Sequence, residues 1–178
     1  MLQPGAQALV AMLQEMGIDV SSVSGDRDET VRQIAKIVGI ADHRGNARRE
    51  DKRARIAALQ RDGAIVAMVG DGVNDAPALA AADVSFAIGT GSDVAVDTAD
   101  ITVVRNDLNA VVDAILLSRA TLAKIRQNLF FAFVYNVLGI PLAALGMLNP
   151  VFAGAAMAAS SLSVVGNALL LRRWRPKQ

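Results

Sequence analysis

The sequence predicts an α/β fold, with a partial Rossmann-like parallel sheet followed by an α-helical transmembrane hairpin. In the first part of the chain, short β-branched runs alternate with helix-like segments. Between Gln127 and Leu171 there is no Asp, Glu, Lys or Arg, although 20% of all residues are charged. This segregation of charge is typical of a water-exposed domain joined to membrane spans.

Four strands are predicted in the N-terminal region, because their apolar runs are bounded by Gly, Asp or Ser. They are Ile18–Val23, Ala64–Val69, Val84–Ile88 and Ile101–Val104. Helices are predicted at Asp28–Val38, Arg49–Arg61 and Asp75–Ala81. Alternation of this kind implies a mostly parallel sheet with its active site at the carboxyl ends of the strands.

The loop that follows the second strand reads Gly70-Asp71-Gly72-Val73-Asn74-Asp75-Ala76-Pro77. Glycine permits close backbone approach, and Asn74 is predicted to cap a helix that has Pro77 in its first turn. The N-terminal end of such a helix favours a bound anion. Asp71 and Asp75 would repel that anion unless a cation lay between them. Because carboxylate and phosphate oxygens are the usual surroundings of Mg²⁺, the loop predicts a Mg²⁺-phosphate site. The alternative interpretation is a tight turn with solvated acids.

The decapeptide that begins at Gly70 resembles the GDGxNDxPAL motif of P-type ATPases, in the haloacid-dehalogenase-like superfamily. The resemblance extends from Leu2 to Arg173. It implies that Asp71 binds Mg²⁺ beside a phosphorylated residue, with ATP bound mainly by other domains. It also implies that Asn74 and Asp75 hold the phosphoryl group, and that Gly70 and Gly72 lie against it.

Two further segments resemble motifs of the same family. Ser24-Gly25-Asp26 is similar to its TGD motif, so the resemblance assigns the hydroxyl that donates to phosphoryl oxygens to Ser24. Lys52 is similar to the lysine that neutralises phosphate charge, although Arg49 stands where the family's Pro-x-Asp-Lys pattern has proline. The alternative for Lys52 is a solvated surface lysine among neighbouring arginines. His43, the only histidine, is interpreted as a surface residue in a polar loop.

The membrane half is predicted to contain two spans, at about residues 129–148 and 151–171, within a segment 127–171. Asn149-Pro150 would form the turn between them. An amphipathic helix over residues 107–126 would connect residues 1–106, the C-terminal part of the phosphorylation domain, to the first span. Residues 172–178 form a basic tail. Because Lys and Arg flank both outer ends, both termini are predicted to be cytoplasmic, in an integral protein of the inner or plasma membrane.

Polar residues inside the spans predict the transported ion. Tyr135-Asn136 and Met157-x-x-Ser160-Ser161 resemble the YN and MxxSS signatures of copper-transporting P-type ATPases. That resemblance implies that Tyr135, Asn136, Met157 and Ser161 help to coordinate Cu(I). A thioether suits this soft ion, and the lysine and aspartate of zinc-type relatives are absent from these spans. Taken singly, Met157 and Ser161 are also explained by helix packing.

The chain lacks other parts of the family's machinery. It has no DKTGT motif with the phosphorylated aspartate, and zero cysteines exclude a CPC thiolate pair. The resemblance therefore implies part of an ATP-hydrolysing Cu(I) pump, with the chain inactive alone and the missing N-terminal part supplied in cis or in trans. The alternatives are a non-catalytic membrane regulator of a full-length pump and a truncated, non-functional remnant. The lipid bilayer is an expected partner and a copper chaperone a candidate one, whereas the net charge of +1 gives no indication of nucleic acid.

Overall fold

A computed structural model describes residues 5–70, 74–89, 97–104, 107–146 and 149–175. The chain divides into two compact units, Met1–Val112 and Asp113–Gln178. The first contains short strands and helices, and the second is built from two long helices.

The helices of the N-terminal unit are α1 (Ala6–Glu15), α2 (Asp28–Val38), α3 (Arg49–Arg61) and α4 (Ala76–Leu79). The strands are β1 (Ser21–Val23), β2 (Asp42–Arg44), β3 (Ala67–Gly70), β4 (Val84–Ile88) and β5 (Ile101–Val103). The predicted bounds of α2, α3 and β4 are confirmed. The acidic first turns of α2 and α3 are local signals that the sequence displays directly, as is the continuous apolar and β-branched run of β4.

All strand pairs in the described residues are parallel, which confirms the predicted sheet type. β1 pairs with β2, and β3, β4 and β5 form a second sheet in that order. The core lies on β4, where Phe86 and Ala87 are almost fully buried. Within the described residues β1 and β3 each have one paired neighbour, so each has a free edge.

Two elements were not predicted, α1 and β2. The sequence of β2, Asp42-His43-Arg44, has no apolar residue to indicate a strand. His43 therefore lies in a strand opposite Ser22, and its placement in a polar loop was wrong. Asp42 accepts a hydrogen bond from Arg55 at 2.7 Å, and this guanidinium lowers the pKa of the Asp42 carboxyl.

Helix α4 is shorter than predicted and starts later. Its N-cap is Asp75 rather than Asn74, and Pro77 lies in the first turn as expected. The side chains of Asn74 and Asp75 do not cap the helix, because Asn74 is hydrogen-bonded to Arg49 and Asp75 to Lys52.

Helix α5 (Asn109–Ala144) runs without interruption through the predicted connecting helix and most of the first span. It includes Pro141 and ends earlier than residue 148; residues 147 and 148 lie outside the described part. Helix α6 (Pro150–Leu170) continues into a 3₁₀ turn, Leu171–Arg173. Its N-cap is Asn149, whose Oδ1 accepts from the Val151 N–H at 2.9 Å.

Both long helices are long and apolar enough to cross a membrane. Many of their large apolar side chains are exposed, including Leu129, Phe130, Val151 and Leu162. Core helices of a water-soluble protein bury such residues, so this exposure supports lipid as their surroundings.

Candidate phosphate site and membrane metal site

A partly buried ion pair joins α3 to the loop after β3. Lys52 Nζ lies 2.6 Å from Asp75 Oδ1, although the two residues are 23 positions apart. The side chains are only 17% and 12% exposed. Lys52 is therefore a partly buried, paired cation and not the solvated surface lysine of the alternative interpretation.

A second contact joins the same two elements. The Arg49 guanidinium donates a hydrogen bond to Asn74 Oδ1. Arg49 and Lys52 are three residues apart and so lie on one face of α3, while Asn74 and Asp75 are consecutive. The first turn of α3 thus contacts both Asn74 and Asp75.

The loop after β1 holds its predicted residues in a bonded turn. Ser24 Oγ donates to Asp26 Oδ2 at 3.1 Å, and the Asp26 N–H lies 3.2 Å from the same hydroxyl oxygen. The backbone N–H groups of Asn46 and Ala47 bond the carbonyls of Asp26 and Ser24. Gly25 lies within this turn, whose residues bond one another and the 46–47 segment.

Gly70 ends β3 directly against Asp75. A Cβ atom at this position would lie 2.8 Å from the Asp75 Cβ, so a larger residue would require the Asp75 side chain or the end of β3 to shift. This gives a packing reason for glycine at a position where the motif predicts contact with cofactor.

The predicted Mg²⁺ ligand Asp71 and the neighbouring Gly72 lie outside the described residues. Within the described part of the chain, no group of three His, Cys, Asp or Glu side chains is placed to hold a metal ion. The carboxylate of Asp75 is occupied by Lys52. The Mg²⁺ prediction therefore depends on Asp71.

The predicted copper ligands lie on the two long helices. Asn136 Nδ2 donates to the Ala132 carbonyl at 2.9 Å, and Ser161 Oγ donates to the Met157 carbonyl at 3.1 Å. Tyr135 is 40% exposed and Met157 is 74% exposed. Among the hydrogen bonds of the described residues, none joins the pair on α5 to the pair on α6.

The polar cluster that does join α5 and α6 was missed from the sequence. Asn167 Oδ1 accepts from Lys124 Nζ at 2.7 Å, and Asn167 Nδ2 donates to Asn128 Oδ1 at 2.8 Å. Gln127 Oε1 also accepts from both Lys124 and Asn167. The sequence did contain a signal for this cluster: Asn167 is the single asparagine in its charge-free span, and Lys124, Gln127 and Asn128 lie near the start of the other span.

Two family models match the chain, both described as haloacid dehalogenase-like hydrolase, over residues 1–83 and 53–115. The fold and the paired residues beside the β3 loop thus belong to a haloacid dehalogenase-like domain followed by two apolar helices.

The chain is 54% identical to the probable copper-transporting ATPase PacS of Synechococcus elongatus, over 99% of this chain and 24% of that protein. It is 57% identical to the copper-exporting P-type ATPase of Bacillus subtilis, over 92% of this chain and 20% of that protein. A solved zinc-transporting PIB-type ATPase superposes with a TM-score of 0.90 at 35% identity, over 96% of this chain and 28% of that one.

The chain is therefore a homologue of one segment of copper-type P-type ATPases, which confirms the resemblance read from its motifs. It spans about a fifth to a quarter of the length of these two curated relatives.

Proposed function

We propose that this chain is part of an ATP-driven cation pump that exports Cu(I). It supplies the Mg²⁺- and phosphate-binding side of the phosphorylation site and half of the membrane metal site. The observation that carries this proposal is the partly buried Lys52–Asp75 pair beside the loop after β3, in a homologue of copper-exporting pumps.

At the phosphate site, the roles follow from the charge and donors of the side chains. Lys52 neutralises phosphoryl charge, and Asp75 holds its ammonium in place at 2.6 Å. Ser24 presents a hydroxyl at the carboxyl end of β1. Its one proton is donated to Asp26 Oδ2 in this structure, so the hydroxyl would have to rotate away from Asp26 to donate to a phosphoryl oxygen. Mg²⁺, held by Asp71, would screen the remaining negative charge.

The free edges of β1 and β3 support the view that this unit works within a larger sheet. Edge strands carry unpaired N–H and C=O groups, and Ile65 and Val69, just before and within β3, are 86% and 38% exposed. We infer that a parallel strand from the rest of the pump pairs here and brings the phosphorylated aspartate. That strand is supplied in cis or in trans.

For the transported ion, the donor set favours Cu(I) over Zn²⁺. Met157 offers a soft thioether, and there is no carboxylate between Gln127 and Leu171. The hydroxyl and amide protons of Ser161 and Asn136 are used within their own helices, which leaves their oxygen atoms available. Basic residues at the outer ends of the hairpin support cytoplasmic termini, and a copper chaperone is a candidate donor of the ion.

The test is a chimera in which this chain replaces the matched segment of the Bacillus subtilis relative. We expect Cu(I)-dependent phosphoenzyme formation from ATP, and its loss with Asp71→Ala. A folded chimera without phosphoenzyme would instead favour a regulator or a non-functional remnant. Unchanged phosphorylation in Asp71→Ala would remove the Mg²⁺ assignment.

The metal is tested separately by Cu(I) uptake into vesicles that contain the chimera. Met157→Ala should lower Cu(I) transport at least about tenfold, because a soft ligand is lost. Leu162→Ala is the matched control, since Leu162 lies on the same helix with similar exposure, 73%. Equal transport by both variants would contradict the copper assignment.

A further inference from the structure

We propose that Arg49 is a positioning residue of the phosphate site, where it orients the Asn74 amide and adds a positive charge. This inference rests on the proposed function, since it assigns a role within that site. Arg49 is also the residue at which this chain departs from the Pro-x-Asp-Lys pattern.

The hydrogen bond from Arg49 decides which way the amide of Asn74 faces. A guanidinium has donors only, so its partner must be the amide oxygen and not the amide nitrogen. The Asn74 NH₂ group therefore points away from Arg49 with its two donors. Phosphoryl oxygens are acceptors, so this is the orientation in which Asn74 can hold a phosphoryl group. Without Arg49 the amide is free to turn and present its oxygen, which repels phosphate.

The position of Arg49 on α3 also indicates a partner that carries negative charge. The N-terminal end of a helix has a partial positive charge, so cations in the first turn are unfavourable unless an anion lies close by. Lys52 meets this condition through Asp75. Among the ion pairs of the described residues, none includes Arg49. We infer that a bound phosphoryl group supplies the negative charge that this position favours.

Holding Asn74 in place in the free protein does not by itself explain the presence of an arginine at position 49. Both Arg49 and Asn74 are exposed, and an exposed polar contact of this kind contributes little to folding stability. A phosphoryl group bound beside the pair would shield it from water and strengthen the contact. The effect of Arg49 should therefore appear in phosphate affinity rather than in the melting temperature.

The experiment uses the same chimera and measures phosphoenzyme formation from inorganic phosphate and Mg²⁺ as a function of phosphate concentration. Arg49→Ala should weaken the apparent phosphate affinity about tenfold, the size of a lost charge-assisted hydrogen bond. Arg49→Lys keeps a donor and the charge, and should recover to within about threefold of the parent. Arg53→Ala is the control, because Arg53 is exposed on the same helix and is joined to Asn74 or Asp75 by none of the hydrogen bonds and ion pairs of the described residues.

A loss in Arg49→Ala with partial recovery in Arg49→Lys, at an unchanged melting temperature, supports the positioning role. Phosphate affinity equal to that of Arg53→Ala overturns it, as does a loss that follows the melting temperature. A folded parent chimera that forms no phosphoenzyme from ATP or phosphate overturns the proposed function, and the role of Arg49 with it.

Discussion

The two candidate sites use their polar side chains in opposite ways. At the phosphate site, Lys52 and Arg49 reach across to residues of a different element, Asp75 and Asn74. In the membrane helices, Asn136 and Ser161 donate to carbonyls one turn back in their own helix. The first arrangement holds two elements together before any ligand binds, whereas the second satisfies the donors and leaves the ligand atoms free to meet an ion.

The largest loss in the free energy of unfolding is expected from Lys52→Ala, which removes a contact between two elements. The substitution leaves the buried Asp75 carboxylate without its cation, which costs several kcal/mol in a fully buried pair and about 2–3 kcal/mol here because both groups keep some exposure. Urea unfolding of the N-terminal unit, followed by circular dichroism in detergent, measures the loss. If Arg53→Ala destabilises the unit equally, the pair does not hold α3 to the loop.

The next largest loss of stability is expected from Asn167→Ala. Among the described residues, Asn167 belongs to the polar cluster that joins α5 to α6, as Lys52 and Arg49 join α3 to the loop after β3. Lys124 and Asn128 would each lose their partner on α6. Hydrogen bonds between membrane helices contribute about 0.6–2 kcal/mol, so we expect a loss of about 1 kcal/mol in unfolding by sodium dodecyl sulfate. Ser163→Ala is the control, because Ser163 bonds the Ser160 carbonyl in its own helix.

A smaller, pH-dependent effect is expected at Asp100. Its carboxylate accepts from the hydroxyl and the N–H of the buried Ser85, and these bonds lower its pKa below the ordinary 3.8. A lowered folded-state pKa stabilises the fold above the unfolded-state pKa, and this contribution is lost as the pH falls through the folded-state value. Asp100→Asn should therefore lower stability near pH 7 and flatten its dependence below about pH 4.

The measurement is thermal unfolding from pH 2 to pH 7. If the stability of Asp100→Asn falls as steeply with decreasing pH as that of the parent, titration of Asp100 does not contribute to the pH dependence of stability. Asp83 bonds the Val66 N–H in a similar way, so Asp83→Asn should add to the flattening.

The smallest effect on stability is expected from Ser161→Ala. The lost hydrogen bond is local to α6, so the free energy of unfolding should change by less than about 0.5 kcal/mol. If Ser161 helps to coordinate Cu(I), transport by the chimera should nevertheless fall severalfold. A stability loss as large as that of Asn167→Ala would remove the contrast between local and cross-helix bonds.

Local patterns predicted a large part of this molecule. The charge-free block from Gln127 to Leu171 indicated both long helices, because lipid excludes charge over the length of a span. The helix-like segments between the β-branched runs predicted α2 and α3, and the Gly-Asp motifs indicated which strand ends to consider. Strand β2 had no such signal, because its three residues are polar and it is recognised only by its pairing with β1.

The sequence by itself thus determined the division into a parallel-sheet unit and two apolar helices, and the identity of most candidate site residues. Only the tertiary structure decided the partners of those residues: Lys52 with Asp75 and Arg49 with Asn74 in one unit, and Lys124 with Asn167 in the other. These pairs are 23, 25 and 43 residues apart. A periodic pattern can be seen in residues that are close together in the sequence, whereas the pairing of distant side chains depends on how the whole chain folds.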